Sequence, residues 1–324
     1  MSTCLKKPEL FEPLNPFAEE VIEGLSLAQK SLSCKWFYDE TGSRLFEQIT
    51  KTAEYYPTRV ETRLLVDVVK EVAQLIPNLA TVIEPGSGSS IKTRILLESQ
   101  PLLKKYIPID ISEDFLLETA ITLKHDFPEL VIQPLVADFT ASMAPLELDK
   151  KSEHLVFFPG STIGNFDPNE AKQLLRNIHH LAGENAWLLI GVDMTQDGDK
   201  LLAAYNDANG ITAQFNKNML VRANRELEAD FNVAKFAHRA IFNQSEHRVE
   251  MHLVSQQAQD VQIQGYAFHF NAGETIHTEN CYKYSRRSFE AIAHECGWAI
   301  FQCWEDKTES SFGVFLLKAA STYR

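Results

Sequence analysis

Between Thr81 and Asp193 the chain alternates two textures. Short apolar runs that close on a small or acidic residue occur at Thr81–Glu84, Tyr106–Asp110, Val131–Asp138, His154–Phe158 and Ala186–Asp193. Between them, Lys92–Leu97, Glu113–Lys124 and Asn169–Leu181 carry helical spacing. Strand–helix alternation of this kind predicts a parallel sheet covered by helices, with ligands at the C-terminal ends of the strands. Upstream, residues from Pro16 to Pro77 read as helical pieces, the longest an amphipathic stretch from Val60 to Leu75. Downstream, Asp199 to Leu227 reads as helices around a break at Gly210. Runs at Ala240–Asn243, Arg248–Val254, Val261–Ile263 and Ala267–Phe270 then read as antiparallel strands. Val249, Met251 and Leu253 share one strand face, where Met251 reads as core. A helix at Arg286–Cys296 and a strand at Gly313–Leu317 return to the alternating style. The pattern is an α/β sheet with a helical and β insertion before its last strands, and the N-terminal segment is expected to pack on that insertion.

Composition narrows the partners. The chain has 324 residues, 44% hydrophobic and 23% charged, which fits a folded soluble protein and excludes wholesale disorder. A net charge of −13 disfavours nucleic acid, whose phosphates call for a basic face. No apolar run reaches the length of a membrane span, and the start MSTCLKKPELFEPLNPF lacks the apolar core of a signal peptide. Cys4, Cys34, Cys281, Cys296 and Cys303 are scattered and never spaced CxxC, so they read as reduced thiols of a cytoplasmic protein. The ten histidines show no metal spacing. A small-molecule partner and a monomeric, metal-free protein are expected.

The candidate chemistry sits at the strand ends. Glu84-Pro85-Gly86-Ser87-Gly88 follows the first strand, where glycines let a ligand approach the backbone closely. The segment is not a P-loop, since Lys92 is not beside a Gly, nor GxGxxG, since Ile91 holds the last position, and alone it is weak evidence, a structural turn being the other reading. Asp110 ends the second strand, where a carboxylate suits ribose hydroxyls. Asp138-Phe139 ends the third and could hold an adenine by its amino group and its face. Each acid alone could equally be a helix cap. Together, a short glycine turn, a ribose acid and an adenine-facing acid fit S-adenosylmethionine better than a dinucleotide.

The motifs KWFYDETGSRLFEQIT (35–50), EYYPTR (54–59), EPGSGSSIKTRILL (84–97), PIDIS (108–112), GSTIGNF (160–166), AYNDANGITAQFNKN (204–218), NRELEADF (224–231), VEMHL (249–253) and TENCYKY (278–284) make the reading sharper. The chain resembles the histidine-specific N-alpha-methyltransferase family of ergothioneine biosynthesis, colinearly from about residue 20 to the C-terminus. The resemblance implies a class I methyltransferase sheet, Rossmann-like, over 60–195 and 284–324. It implies a second, α+β substrate-binding domain from 14–59 and 196–283. The implied reaction trimethylates the alpha-amino group of L-histidine to hercynine, with S-adenosylmethionine as donor and no metal.

Carried over by motif, the donor contacts fall on Gly86, Lys92, Asp110, Asp138 and Phe139. The resemblance places the carboxylate and amine of the amino acid near Asn165 and Tyr205, and lines the pocket with Tyr38 and Tyr55. Asn165 and Tyr38 would position the amine. The side chain would meet Glu279 and the residue at 281. Residue chemistry agrees: an amide both donates and accepts, tyrosine faces favour a growing cation, and Glu279 can accept from an imidazole N–H. Where the family usually has Ser, this chain has Cys281, a weaker donor and a larger atom. That departure keeps open a relative acting on another amino acid or amine. A regulatory protein that binds the donor without turnover is a further alternative, and a dehydrogenase is disfavoured by the missing GxGxxG.

Overall fold

The computed structural model describes residues 15–88, 91–149, 151–306, 308–309 and 311–320. Cys4, the opening residues and Ser89-Ser90 of the glycine segment lie outside them. Helices α1 (Pro16–Ser26), α2 (Glu40–Ile49) and α3 (Tyr56–Leu75) lead into β1 (Leu79–Pro85). The alternating region then runs α4 (Ile91–Glu98), β2 (Lys105–Asp110), α5 (Glu113–Asp126), β3 (Val131–Ile132), β4 (Leu135–Val136), β5 (Glu153–Phe158), α6 (Pro168–Ala182) and β6 (Ala186–Asp193). The insertion holds α7 (Gly198–Ala204), α8 (Ile211–Glu226), β7 (Phe236–Asn243), β8 (Arg248–Ser255), β9 (Gln259–Ile263), β10 (Tyr266–Phe270) and β11 (Thr275–Tyr282). The chain closes with α9 (Arg286–Glu295), β12 (Trp298–Asp306) and β13 (Phe312–Ala319).

The main sheet has the order β12-β13-β6-β5-β1-β2-β3, with β4 also paired to β2. β1, β2, β3, β4, β5 and β6 run parallel, and the β12–β13 hairpin adds antiparallel to β6. This is a Rossmann-like α/β sheet, with its order reversal between β1 and β5. β6 is buried at all eight positions, as a central strand covered on both faces must be. Ile83, Val156, Phe158 and Ile190 of the inner strands pack with Leu174 and Ile178 of α6 and Phe289 of α9.

The third run behaves differently from its reading as one strand, Val131–Asp138. It forms two two-residue strands, with Gln133 and Pro134 between them. Pro134 has no N–H to give the ladder, so pairing lapses there. Gln133 N still donates to Tyr106 O at 2.9 Å, and Ala137 N to Asp110 O at 3.0 Å. The run thus stays beside β2, and Asp138 still emerges at its end.

By backbone proximity the chain divides into two compact units. One comprises residues up to Phe37, Ala213–Arg239 and Met251–Glu279; the other comprises Tyr38–Thr212, Ala240–Glu250 and Asn280 onward. In the first unit, α1 and the residues around Trp36 pack on α8. Arg222 of α8 lies over the rings of Phe17 and Trp36 and donates to Trp36 O at 3.0 Å. Phe231, Phe236 and Phe270 form its aromatic core, with centroids 5.5–6.2 Å apart. β9 and β10 join through Gln264-Gly265, both at positive φ, the two-residue turn that matches strand twist. Met251 is buried, in keeping with a core role.

Candidate active site

The second unit carries the glycine turn and most of the singled-out residues. Gly86 has φ +69° and Gly88 φ +48°, a backbone region costly for other residues. A Cβ on Gly86 would come within 3.2 Å of the Phe139 ring, so the ring seats directly on the turn. Phe139 in turn stands edge-on to Phe158 of β5, at 5.9 Å between centroids. The Asp110 carboxylate accepts from Ser112 N at 3.0 Å and from Gly88 N at 3.5 Å. Burial raises its pKa against the pull of those amides. Asp138 accepts from the amide and hydroxyl of Thr140. Gly86, Asp110, Asp138 and Phe139 thus line one stretch of strand ends, β1, β2 and β4. Asp110 and Asp138 place carboxylates, and Phe139 a ring, beside the turn, groups whose chemistry suits the hydroxyls and base of a nucleoside.

Beneath the turn lies Glu84, buried and accepting from Thr93 Oγ1 at 2.8 Å and Tyr106 OH at 2.6 Å. Burial pushes its pKa up to about 8, although Tyr106, Thr93 and the Lys92 ammonium pull the other way. Lys92 itself pairs with Glu61 of α3. Both Glu61 oxygens also take the amide of Gly160, at 2.9 and 2.8 Å. One buried carboxylate therefore ties the start of α4 to the loop after β5. Gly191 of β6 makes room for it, since a Cβ there would lie 1.8 Å from Glu61 Oε1.

That loop carries Asn165. Gly160 and Ser161 take positive φ, and Ser161 Oγ accepts from Asp193 N at 2.9 Å, which joins the ends of β5 and β6. Asp167 then starts α6 with a reciprocal cap to Glu170, so the turn is held on both sides. Gly164 abuts β11: a Cβ there would lie 2.7 Å from Tyr282 O and 3.3 Å from Cys281 Sγ. Cys281 Sγ in turn lies 2.8 Å from the Tyr205 hydroxyl. The aromatic series continues edge to edge from Tyr205 to Tyr55 at 6.2 Å, Tyr55 to Phe46 at 6.1 Å and Phe46 to Tyr38 at 5.8 Å. Tyr38, Tyr55, Asn165, Tyr205 and Cys281, spread over more than 240 residues, thus belong to one unit. Glu279 is the last residue of the other unit, two before Cys281 on β11.

Four residues of this unit escaped the sequence reading. Lys283 is buried and reaches Asp193 Oδ2 at 3.0 Å, Cys281 Sγ at 3.1 Å and Tyr205 OH at 3.2 Å. Tyr56 donates to the same Asp193 oxygen at 2.6 Å. Burial pulls the Lys283 pKa down, but Asp193 with its neighbours holds it well above the usual lysine value. Glu61 is the fourth. Tyr56 and Lys283 stood inside quoted motifs, and Lys283 shares the period-two face of Cys281. Glu61 had no signal beyond being an acid in an amphipathic helix.

Residues 17–319 match the histidine-specific, S-adenosylmethionine-dependent methyltransferase family. The chain belongs to that family. Within it, the chain is 37% identical over 302 residues to a histidine N-alpha-methyltransferase of Mycobacterium tuberculosis, covering 92% of this chain and 93% of that one. It matches a histidine N-alpha-methyltransferase of Mycolicibacterium smegmatis at the same identity and coverage. An ergothioneine biosynthesis protein 1 of Neurospora crassa is 34% identical over 194 residues, 58% of this chain and 22% of that longer protein. No helix among the described residues of this family member is long and apolar enough to cross a membrane.

Proposed function

We propose that this methyltransferase transfers three methyl groups from S-adenosylmethionine to the alpha-amino group of L-histidine, giving hercynine for ergothioneine biosynthesis. The observation that carries the reading is the close approach of the Asn165 turn, at Gly164, to Cys281, whose sulfur accepts from the Tyr205 hydroxyl, in a chain that belongs to the histidine-specific family along nearly its whole length. In this reading Gly86, Lys92, Asp110, Asp138 and Phe139 hold the donor. Tyr38, Tyr55, Asn165 and Tyr205 hold the amino-acid end, and Glu279 with Cys281 meets the imidazole. The N-terminal segment 14–59 and the insertion 196–283 together serve the substrate, and 60–195 with 284–324 serve the donor. The scattered thiols suit an enzyme of the reducing cytoplasm, read here as a monomer.

The chemistry is in-line displacement at the methyl carbon by a neutral amine. The sulfonium–methyl bond breaks as the nitrogen–methyl bond forms, and the first two products each shed a proton before the next round. Alignment alone can lower such a barrier by about 7–11 kcal/mol, so no metal is required. An amide at Asn165 can accept from the amine and direct its lone pair. Tyrosine faces favour the product cation. Purified protein given S-adenosylmethionine and a mixture of amino acids tests the reading by mass spectrometry. Histidine gaining one, two and three methyl groups is the expected result. Methylation of another amine in its place would install the second reading, which Cys281 motivates, and no methylation at all would sink both.

A further inference from the structure

We propose that Glu61 is a positioning residue that couples the two ligands: it links the Lys92 ammonium to the turn carrying Asn165, so that a filled donor site tightens histidine binding. This role rests on the ligand placement given above. Glu61 is buried, and a carboxylate only accepts hydrogen bonds. Its donors come from two elements that serve different ligands. Lys92 is the second residue of α4, just after the glycine turn, and pairs with Glu61 Oε2. Gly160 opens the loop after β5, and its amide reaches both carboxylate oxygens, at 2.9 and 2.8 Å. The Lys92 nitrogen stands close to Gly160 itself, since a Cβ there would lie 3.7 Å from it. From Gly160 to Asn165 the loop is tied to itself. Thr162 Oγ1 donates to Pro159 O at 3.0 Å and Gly164 N to Ser161 O at 2.9 Å, and Thr162–Asn165 form one 3-10 turn. A displacement of the Gly160 amide is therefore passed on to Asn165.

The direction of the coupling follows from what each partner can lose. The Lys92 side chain is 16% exposed, against 1% for Glu61, so the ammonium can meet an arriving ligand and the carboxylate cannot. An ammonium has three N–H donors, enough to serve Glu61 and an anionic ligand group together. The donor's single anionic group is the carboxylate of its methionine part. Once that carboxylate draws on Lys92, Glu61 leans harder on the Gly160 amide, because a buried acceptor has no water to turn to. The turn is then held more firmly, and less ordering remains for histidine to impose. By thermodynamic reciprocity, histidine tightens donor binding by the same factor. No step of methyl transfer passes through Glu61; it acts through the ammonium and the amide it holds.

Calorimetry with S-adenosylhomocysteine, which lacks the methyl group and cannot react, reads the coupling as a ratio of histidine Kd values without and with the nucleoside. In the wild-type protein histidine should bind about five- to tenfold more tightly when S-adenosylhomocysteine is saturating. In Glu61→Gln the ratio should approach one, while each ligand alone binds within about threefold of its wild-type Kd. Glu61→Gln/Lys92→Met removes the ion pair whole, spares the fold an unpaired buried charge, and should also show a ratio near one. Asp110→Ala, a donor contact off this link, should weaken S-adenosylhomocysteine yet keep the wild-type ratio. A merely structural Glu61 would weaken both ligands alone and leave the ratio unmoved, which overturns the proposal. A ratio kept in the double variant, a wild-type ratio of one, or a ratio lost in Asp110→Ala as well overturns it too, with the substrate placement intact. Wild-type protein that binds S-adenosylhomocysteine but no histidine overturns the substrate placement, and this role with it.

Discussion

The two halves of the strand-end face are built by opposite means. On the side of β1, β2 and β4 the carboxylates Glu84, Asp110 and Asp138 take their donors from within 22 residues, as Asp110 does from Ser112 N and Gly88 N and Asp138 from Thr140. On the side of β5 and β6 the contacts leap along the chain, Tyr56 to Asp193 across 137 residues and Tyr205 to Cys281 across 76. Their buried charges differ too. Glu84 under the glycine turn shares the Lys92 ammonium with Glu61 and forms no ion pair among the described residues, and burial drives it toward the neutral acid. Lys283 is as deeply buried but stays a cation, because Asp193 lies at 3.0 Å. The lesson is that depth alone does not decide ionisation; a charged partner at contact distance does.

The largest expected effect breaks this contrast at Glu84. A carboxyl whose native pKa stands above its unfolded value gives stability at low pH that is lost as pH rises. Between the ordinary 4.5 and about 8, wild-type stability should therefore fall with pH. Glu84→Gln cannot titrate and should lack that slope, the two proteins diverging by something of the order of 5 kcal/mol across the window. Denaturant midpoints at several pH values read it directly. Parallel slopes would mean that Glu84 is ionised throughout, and the contrast with Lys283 would be gone.

Gly191→Ala strikes the carboxylate that links the two halves. Its methyl group would collide with Glu61, which is 1% exposed and cannot retreat into solvent. A loss of about 3 kcal/mol in unfolding free energy is expected, the upper range for overpacking a tight core. A change below the error of chemical denaturation would show that α3 yields at no cost.

Asp110→Ala sharpens the division of labour. Removing a charge-assisted acceptor should weaken S-adenosylmethionine binding by about 1.5–3 kcal/mol in calorimetry. Histidine affinity should be untouched, so a matching loss for both ligands would contradict separate halves.

The smallest effect belongs to Cys281→Ser. A hydroxyl is a better donor than a thiol, and a neutral hydrogen bond contributes about 0.5–1.5 kcal/mol. Histidine affinity should tighten by about two- to tenfold. Weaker binding would show that the larger sulfur is fitted to the present substrate.

What the sequence determined by itself is the local part. β6 begins and ends at the residues its apolar run marks, and α5 and α6 begin at or next to the first residue of their helical patterns. The glycine turn, Asp110 and Asp138-Phe139 were legible because each is a strand end and the turn after it, defined within a few residues. The interruption at Pro134 has a local cause as well, since the missing N–H removes a ladder donor at that position. Asn165, Tyr205 and Cys281 could be singled out only through motif resemblance, because no period relates positions so far apart. The tertiary structure alone decided that Lys283, Asp193 and Tyr56 stand behind them, and that Glu61 reaches Gly160 through the space left by Gly191. Hydrophobic periodicity reports which face of an element is buried. Which polar groups meet inside depends on how the elements pack, and the need to satisfy every buried charge then selects the partners.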